Sequence, residues 1–461
     1  MVTPTHRDHT LDMAPRAATE VLTSADAEDR QRRAAGGLLA AGAAPGDRVA
    51  LVATSGADLL CTVLGALRVG VVPVLTHAGL LDHERAELFD DADPLLVVDD
   101  AAMARLLEGT PTDLAPAPLA RPMHYTSGTT GRAKGVWSGL LEESEAVALL
   151  DEEVDLWQFD AADVHLVCSP LYHSVSVRWS AATLLSGGTV VLQGPFDAGT
   201  TAHNIAALSP TTTFMVPAHL QRFFSLGELP DLSGFRLAAH AGSHCPEPLK
   251  RAAADAFGAD VLWEFYGSTE GQFTACSTLE WFDHPGTVGR ARAGRTLSVD
   301  DDGTVWCGVP RWARFEYWRD EARTAGSWRP STDPAAHGEF TVRDLGRLDD
   351  DGYLYLDGRR DDLVITGGVN VYPAEVERVL AEMPGVEEVA VFGVDDERWG
   401  HKVCAAVVGN VAPEGVTAYA REHLAPHKRP KDVVVVGELP YTATGKLRRN
   451  ALADQLFPPA G

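Results

Sequence analysis

The chain has 461 residues, with 39 lysine and arginine residues against 65 aspartate and glutamate residues, and its formal net charge is −26. This acidity argues against a nucleic-acid partner, because binding the phosphate backbone requires a basic surface. The content of hydrophobic residues, 45%, is that of a globular protein, and the length allows two or more domains.

Targeting and metal-binding patterns are missing from the sequence. Residues 1–20 contain no apolar run of the signal-peptide kind, and no stretch approaches the eighteen consecutive apolar residues of a membrane span. The six cysteines occur singly, with no CxxC pair, which favours a reducing compartment. We therefore expect a cytoplasmic protein with no membrane partner.

Helical and strand patterns alternate through most of the chain. The periodicity predicts helices over 29–39 and 58–69 and the strands 49–53, 71–75, 94–98, 164–168, 189–192, 212–216, 236–240 and 261–265. Such alternation predicts a large α/β domain with mostly parallel sheets.

The pattern changes after about residue 285. Short segments rich in Gly, Asp and Trp (303–308, 340–342 and 353–356) predict a small antiparallel β subdomain. Beyond residue 359, a helix is predicted to begin at Pro373, followed by strands over 386–394, 403–408 and 433–436. We predict two domains, a large one over residues 1–358 and a small α+β one over residues 359–461.

A segment rich in glycine and hydroxyl residues, 125–135, has the sequence YTSGTTGRAKG. Such residues allow backbone N–H groups to converge on phosphate oxygens, and Arg132 and Lys134 add positive charge. The spacing is not that of the P-loop, because only two residues separate Gly131 from Lys134. Taken alone, the segment is equally consistent with an ordinary turn.

Three further motifs follow in order. The segment EFYGSTE, residues 264–270, comes after a predicted strand and offers an aromatic face, hydroxyls and a carboxylate suited to Mg²⁺. The others are DLG at 344–346 with GRRDD at 358–362, and YTATGK at 441–446. Each could be a loop by itself, but the ordered set is specific.

Together these motifs resemble those of the adenylate-forming superfamily, which includes acyl-CoA and aryl-CoA synthetases, nonribosomal adenylation domains and luciferases. The resemblance extends from about residue 47 to 452 and is strongest to acyl- or aryl-CoA ligases. It implies an ATP site built from Thr126, Ser127, Gly128, Thr129, Thr130, Gly131, Lys134, Gly242, Ser243, Glu264, Phe265, Tyr266, Gly267, Asp344 and Arg359.

The resemblance also implies catalytic roles. Tyr266 would stack on adenine, Thr269 would hold the α-phosphate and Glu270 would ligate Mg²⁺. Lys446, on a mobile small domain, would bridge the acid and the phosphate, and Asp361 matches the hinge about which that domain rotates. From charge pattern alone, Asp361 reads as a solvated residue in a charged run.

His173 occupies the position at which amino-acid-activating members usually have an aspartate, which argues against an α-amino acid substrate. His173 is thus a catalytic candidate at the carboxylate end of the substrate pocket, although a packed histidine is the alternative. The predicted pocket comprises His173, Ser174, Val175, Arg178, Trp179, His240, Ala241 and Gly267. Arg178 could bind a polar acid or face solvent.

The resemblance predicts ATP-dependent activation of an aromatic or medium-sized carboxylic acid as acyl-AMP, with transfer to CoA or to the phosphopantetheine of a carrier protein. A net charge of +4 between residues 421 and 450 fits an anionic acceptor. Departures from the family, such as Ala133 for proline and Val342-Arg343 before Asp344, leave other second steps open. These are amide formation and nitrite-dependent diazotisation of an arylamine. If the protein is not an enzyme, the alternative is a non-catalytic nucleotide-binding regulator.

Overall fold

The computed structural model describes residues 19–76, 80, 82–126, 134–334, 336–359, 362–366, 369–396, 398–441 and 447–457. For Thr126 and Arg359 the description covers the backbone alone. No helix among these residues is long and apolar enough to cross a bilayer. The six cysteines are buried free thiols.

The first part of the chain alternates strands and helices, as the periodicity predicts. Its strands are β1 (Glu20–Thr23), β2 (Arg48–Val52), β3 (Val72–Leu75), β4 (Leu96–Asp99), β5 (Met123–Thr126), β6 (Lys134–Trp137), β7 (Val164–Val167), β8 (Thr189–Leu192), β9 (Thr212–Met215), β10 (Leu237–His240), β11 (Leu262–Glu264), β12 (Thr274–Ser277) and β13 (Arg290–Ala291). Its helices are α1 (Ser24–Ala40), α2 (Ala57–Arg68), α3 (Asp82–Ala92), α4 (Asp100–Leu106), α5 (Glu143–Trp157), α6 (Ser174–Leu185), α7 (Ala198–Leu208), α8 (Pro217–Phe224), α9 (Glu247–Phe257) and α10 (Thr278–Asp283).

Shorter elements follow. They are β14 (Thr296–Val299), β15 (Val305–Val309), a 3₁₀ turn (Arg311–Ala313), β16 (Glu316–Tyr317), α11 (Glu321–Ser327), β17 (Trp328–Arg329), β18 (Gly338–Phe340), β19 (Asp344–Leu348) and β20 (Leu354–Arg359). The last elements are β21 (Val364–Thr366), β22 (Val369–Val371), α12 (Pro373–Ala381), β23 (Val386–Asp396), β24 (Gly400–Gly409), α13 (Pro413–His423), β25 (Asp432–Val435) and α14 (Arg449–Leu456).

Two mixed sheets organise the α/β part. One has the strand order β1-β8-β7-β9-β10-β11-β12-β13, and its strands from β8 to β11 are parallel. The other has the order β16-β6-β5-β3-β2-β4, and its strands from β5 to β4 are parallel. Leucine, valine and alanine side chains from helices α2 and α6 fill the core shared by the two sheets.

Antiparallel pairs form the smaller sheets, as predicted after residue 285, except that β24 and β25 are parallel. The order β14-β15-β18-β17 is antiparallel throughout, and β19 pairs with β20. The last five strands pair among themselves, with α12 and α13 packed on one face through Val376, Leu380, Val416 and Ala420. The predicted fold class of α/β sheets, antiparallel strands and a C-terminal α+β unit is confirmed, whereas the domain boundary at residue 358 stays a prediction.

Candidate active site

The YGSTE loop lies at the carboxyl ends of parallel strands β10 and β11, the edge at which open α/β sheets bind ligands. The loop is a narrow turn: Gly267 bridges to Gln272, and the Ser268 N–H donates to the Gly271 carbonyl at 2.8 Å. A Cβ atom on Gly267 would lie 2.8 Å from the backbone of residues 271 and 272. Only glycine therefore fits at this position.

Tyr266 and Asp344 meet although 78 residues separate them. The Tyr266 hydroxyl donates to Asp344 Oδ2 at 2.5 Å, and the Tyr266 ring packs 4.8 Å from Phe273. Asp344 is opposite Arg359 in the β19–β20 ladder. Residues predicted to hold adenine and ribose are thus neighbours in space.

Glu270 is nearly buried, with 6% of its surface exposed, and its Oε1 accepts a hydrogen bond from the Tyr317 hydroxyl at 2.8 Å. Tyr317 is in β16, which pairs with β6, the strand that begins at Lys134. Lys134 Nζ lies 2.9 Å from Asp320 Oδ2. The predicted metal ligand and the end of the predicted phosphate loop are therefore joined through one strand pair.

The phosphate loop connects β5 to β6, whose residues Thr126 and Lys134 pair with each other. Ser127, Gly128, Thr129, Thr130 and Gly131 lie outside the described residues, as do Asp361 and Lys446. Their predicted roles stay predictions.

The predicted ATP-site residues near the ends of β10 and β11 differ in exposure. Gly242 and Ser243 are exposed beyond the end of β10, where a nucleotide could reach them. Glu264 instead accepts a hydrogen bond from Lys250 Nζ at 2.5 Å, and Lys250 is 1% exposed with its ammonium group 4.4 Å from the Trp281 ring centroid. The Glu264 carboxylate is thus tied to helix α9 rather than directed at a ligand.

His240 and Ala241 are also buried. No surface of His240 is exposed, its Nδ1 lies 4.0 Å from Glu264 Oε1, and its ring nitrogens have no hydrogen-bond partner among the described residues. Burial lowers the pKa of His240 to about 4, so the imidazole is neutral at pH 7. This placement differs from the expectation that His240 lines the substrate pocket.

Helix α6 has two faces, which divide the predicted pocket residues. Ser174, Val177, Arg178 and Ala181, at i, i+3, i+4 and i+7, line a cavity. On the other face, Val175 and Trp179 pack with the aromatic side chains of residues 157, 159, 214 and 265. Trp179 is fully buried, and its ring lies 5.1 Å from that of Trp157. No surface of Trp179 is therefore available to contact a substrate.

His173 caps the start of α6, and its ring lies 4.6 Å from the Tyr172 ring. Two other histidines are close enough to be influenced by it. The pKa of His124 and that of His219 are lowered to about 4, mainly by burial and to a lesser extent by the positive charge of a protonated His173. His173 therefore lies among rings that are neutral at pH 7.

The cavity has a volume of about 130 Å³ and reaches the YGSTE loop at Ser268 and Thr269. Apolar side chains from α2, α5 and α6 form much of its wall. The hydroxyl oxygen of Ser268 is buried and has no hydrogen-bond partner among the described residues. A molecule in this cavity would lie directly beside the predicted α-phosphate site.

Arg178 is partly exposed and belongs to a charged network on the cavity wall. Its Nε lies 3.1 Å from Glu153 Oε1, and its guanidinium group donates to Gln272 Oε1 at 3.0 Å. Arg292 contacts the same two partners at 3.4 Å. The sequence analysis did not identify three members of this network, Glu153, Gln272 and Arg292. The signal for Glu153 was its helical spacing from the cavity-lining Leu149 and Leu150.

The basic segment near the C-terminus is largely paired within its own unit. Arg449 contacts Asp362 at 3.0 Å and Glu377 at 2.7 Å, and Lys428 pairs with Glu375. Arg429 donates to the carbonyl oxygens of residues 421 and 424. These contacts reduce the positive charge that the sequence suggested for an anionic acceptor.

The residues present fit a magnesium ion carried with a nucleotide. Among the described residues, no three His, Cys, Asp or Glu side chains cluster as a metal site. Magnesium commonly takes one or two protein carboxylates together with substrate phosphates and water. Glu270, oriented by Tyr317, supplies such a carboxylate.

The fold and these contacts are those expected of a nucleotide-dependent enzyme, with a cavity of about 130 Å³ beside the predicted phosphate site. The AMP-binding enzyme family matches residues 5–119 and 120–310, and the AMP-binding enzyme C-terminal domain matches residues 375–446. The chain is 31% identical over 475 residues to indoleacetate–CoA ligase of Aromatoleum aromaticum, covering 91% of this chain and 90% of the relative.

Solved structures of adenylate-forming enzymes resemble this chain over nearly its whole length. ATP-bound MatB from Rhodopseudomonas palustris superposes with a TM-score of 0.81 at 28% identity, covering 94% of this chain and 93% of that one. The amide bond synthetase McbA from Marinactinospora thermotolerans gives a TM-score of 0.80 at 27% identity, covering 93% of each chain. The chain belongs to the AMP-binding enzyme family, and it is an adenylate-forming ligase of the acid–thiol ligase type. The expected resemblance is confirmed, and the non-catalytic regulator is set aside.

Proposed function

We propose that this enzyme activates an aromatic or medium-sized carboxylic acid as acyl-AMP, releases pyrophosphate and transfers the acyl group to the thiol of CoA. The observation that supports this most directly is the cavity that ends at Ser268 and Thr269, beside Glu270 and Tyr266. An acid in the cavity would present its carboxylate to the α-phosphate of an ATP bound along the edge of β10 and β11.

The side chains have separate tasks in this reaction. Tyr266, oriented by Asp344, offers a ring face to adenine, and Asp344 with Arg359 holds the ribose. Thr269 and the buried Ser268 hydroxyl offer hydrogen bonds to the α-phosphate. Lys134 and the loop before it hold the outer phosphates, for which Lys134 would exchange its contact with Asp320.

Magnesium, held by Glu270 and the phosphates, would offset negative charge where a carboxylate attacks a phosphate. Lys446 would add a second positive charge between the acid and the α-phosphate, where charge develops in the transition state. His173, at the start of α6, would lie at the carboxylate end of the acid.

We propose that residues 359–461 form a domain that reorients about Asp361 between adenylation and thiol attack. Asp361 follows β20, and Asp362 is held by Arg449 from α14, so rotation at residue 361 would move the C-terminal unit with its own ion pairs intact. Conformational steps of this kind commonly separate two chemical steps in one enzyme.

The acceptor is CoA in this proposal, and a carrier-protein thiol would use the same second step. A second candidate is amide formation, which the similarity to an amide bond synthetase favours. Nitrite-dependent diazotisation of an arylamine would use the same adenylation residues with a different first acid.

Pyrophosphate exchange, measured over a panel of acids with nitrite included, tests the proposal, and product formation is then compared with CoA, an amine or no acceptor. We expect exchange with carboxylic acids and a thioester only when CoA is present. Lys446→Ala should lower exchange by orders of magnitude with ATP binding little changed. Exchange with nitrite alone would contradict the carboxylate assignment, and amide product without CoA would replace the thioester step.

A further inference from the structure

The cavity beside Thr269 has a wall with an excess of positive charge. Four arginines line it, Arg121, Arg178, Arg292 and Arg295, with one glutamate, Glu153. Burying a guanidinium group is costly unless it is paired or bound to a ligand. The partners of these four groups therefore indicate what the cavity is built to hold.

Two of the arginines are committed to glutamates. Arg295 contacts both carboxylate oxygens of Glu152, at 2.7 and 3.2 Å, and its side chain is 5% exposed. Arg292, 4% exposed, lies 3.4 Å from Glu153 and donates to the Glu152 carbonyl oxygen at 2.9 Å. Trp312 donates to Glu152 and Trp157 donates to Glu153, so each carboxylate also has a neutral donor.

Four guanidinium groups thus share two carboxylates, because Arg178 also lies 3.1 Å from Glu153, and positive charge remains in excess. Arg121 donates to the carbonyl oxygens of Glu270 and Arg314. Among the described residues its Nε has no hydrogen-bond partner. Arg178 has 30% of its side chain exposed, whereas its partner Glu153 has 4%. Arg178 thus lines the cavity and keeps accessible side-chain surface.

We propose that the acid substrate is a dicarboxylate, whose second carboxylate binds Arg178 at the cavity wall formed with Gln272. This inference rests on the proposed function, because it assumes that the first carboxylate reacts beside Thr269. Guanidinium groups bind carboxylates with two parallel hydrogen bonds, and Arg178 uses few of its five N–H groups in the network.

The size and the remaining wall restrict the skeleton between the two carboxylates. Side chains such as Leu64, Leu149 and Val177 make the other wall apolar. A cavity of about 150 Å³ with an apolar lining holds one benzene ring. The 130 Å³ here therefore fits a single ring or a short aliphatic chain rather than a long acyl chain.

The test compares matched acids in the pyrophosphate exchange assay. For each skeleton, such as phenylpropionate or a six-carbon chain, the monocarboxylate, the terminal hydroxy acid and the dicarboxylate are compared by kcat/KM. We expect wild type to prefer the dicarboxylate at least tenfold. Arg178→Met should reduce the preference to about one, and Arg178→Lys should keep part of it.

The control is Arg33→Met, which removes an exposed arginine paired with Asp29 on α1 and should leave the preference unchanged. A preference for the monocarboxylate, equal use of the hydroxy acid, or a preference insensitive to Arg178→Met would overturn the proposal. No exchange with any acid would instead contradict the proposed function.

Ligand-induced thermal stabilisation distinguishes failure of the dicarboxylate proposal from failure of the proposed function. Without ATP, the dicarboxylate should raise the Tm of wild type and not that of Arg178→Met. Stabilisation of both proteins to the same extent would show that Arg178 does not bind the second carboxylate, whatever the exchange assay gives.

Discussion

Two buried charge clusters lie near the carboxyl ends of the central strands, and they differ in access and balance. The sealed cluster pairs Lys250 with Glu264 beside neutral His240, and none of the three has more than 9% of its surface exposed. The cavity cluster joins Arg178 and Arg292 to Glu153, and Arg178 remains partly accessible.

The two clusters therefore differ in whether their charges hold the fold together or can bind a ligand. In the sealed cluster one cation neutralises one carboxylate, so no charge remains for a ligand, and the contact fixes helix α9 to β11. In the cavity cluster the carboxylates have partners besides Arg178, which leaves that guanidinium group able to bind another anion.

The largest expected effect is on stability, from Lys250→Met. The substitution leaves the Glu264 carboxylate buried without its cation, which costs about 3–5 kcal/mol. The free energy of unfolding from urea titrations measures it. The double variant Lys250→Met, Glu264→Leu should recover part of the loss, because no isolated charge remains.

The matched control is Arg251→Met on the same helix, since the Arg251–Glu247 pair is exposed and contributes about 0–0.5 kcal/mol. A loss for Lys250→Met as small as that of the control would show that the sealed cluster does not stabilise the fold.

Most of the candidate site residues were predicted from the sequence motifs. Their order resembles that of the adenylate-forming superfamily, and this resemblance grouped Tyr266, Asp344 and Glu270 before any contact between them was known. Strand positions could also be predicted from the sequence, because the buried strands β8 and β9 are apolar or threonine-rich runs between turns.

The positions of individual side chains were harder to predict. His240 alternates along β10 with Ala239 and Ala241 and lies on the opposite face of the sheet, toward Lys250. A single sequence does not show which face of a two-sided sheet meets the ligand. Arg292 and Glu153 were missed because 139 residues separate them, and only the fold brings them together.

A second prediction uses His240 to examine the sealed cluster by pH. The pKa of His240 is about 4 in the folded protein and 6.5 in the unfolded chain, so between these values only the unfolded chain binds the proton. Stability should therefore fall as pH decreases from 6.5 to 4, by about 1.4 kcal/mol per pH unit for this group. His240→Gln should remove that part of the slope in urea titrations.

His203→Gln, which changes an exposed histidine on α7, is the control and should leave the slope unchanged. If His240→Gln and wild type lose stability in parallel between pH 6.5 and 4, His240 is not held neutral by its surroundings.

Within the two clusters, the smallest expected change in stability comes from Arg178→Met. Glu153 keeps its hydrogen bond from Trp157 at 2.9 Å and its contact with Arg292 at 3.4 Å, so its charge does not become isolated. The loss should be about 1 kcal/mol, the net value of one hydrogen bond, in the urea titrations that give 3–5 kcal/mol for Lys250→Met. A loss as large as that of Lys250→Met would mean that Arg178 is as structural as the lysine. The reason to assign it a ligand would then disappear, because a cation that the fold needs for neutrality has no charge left to bind a substrate.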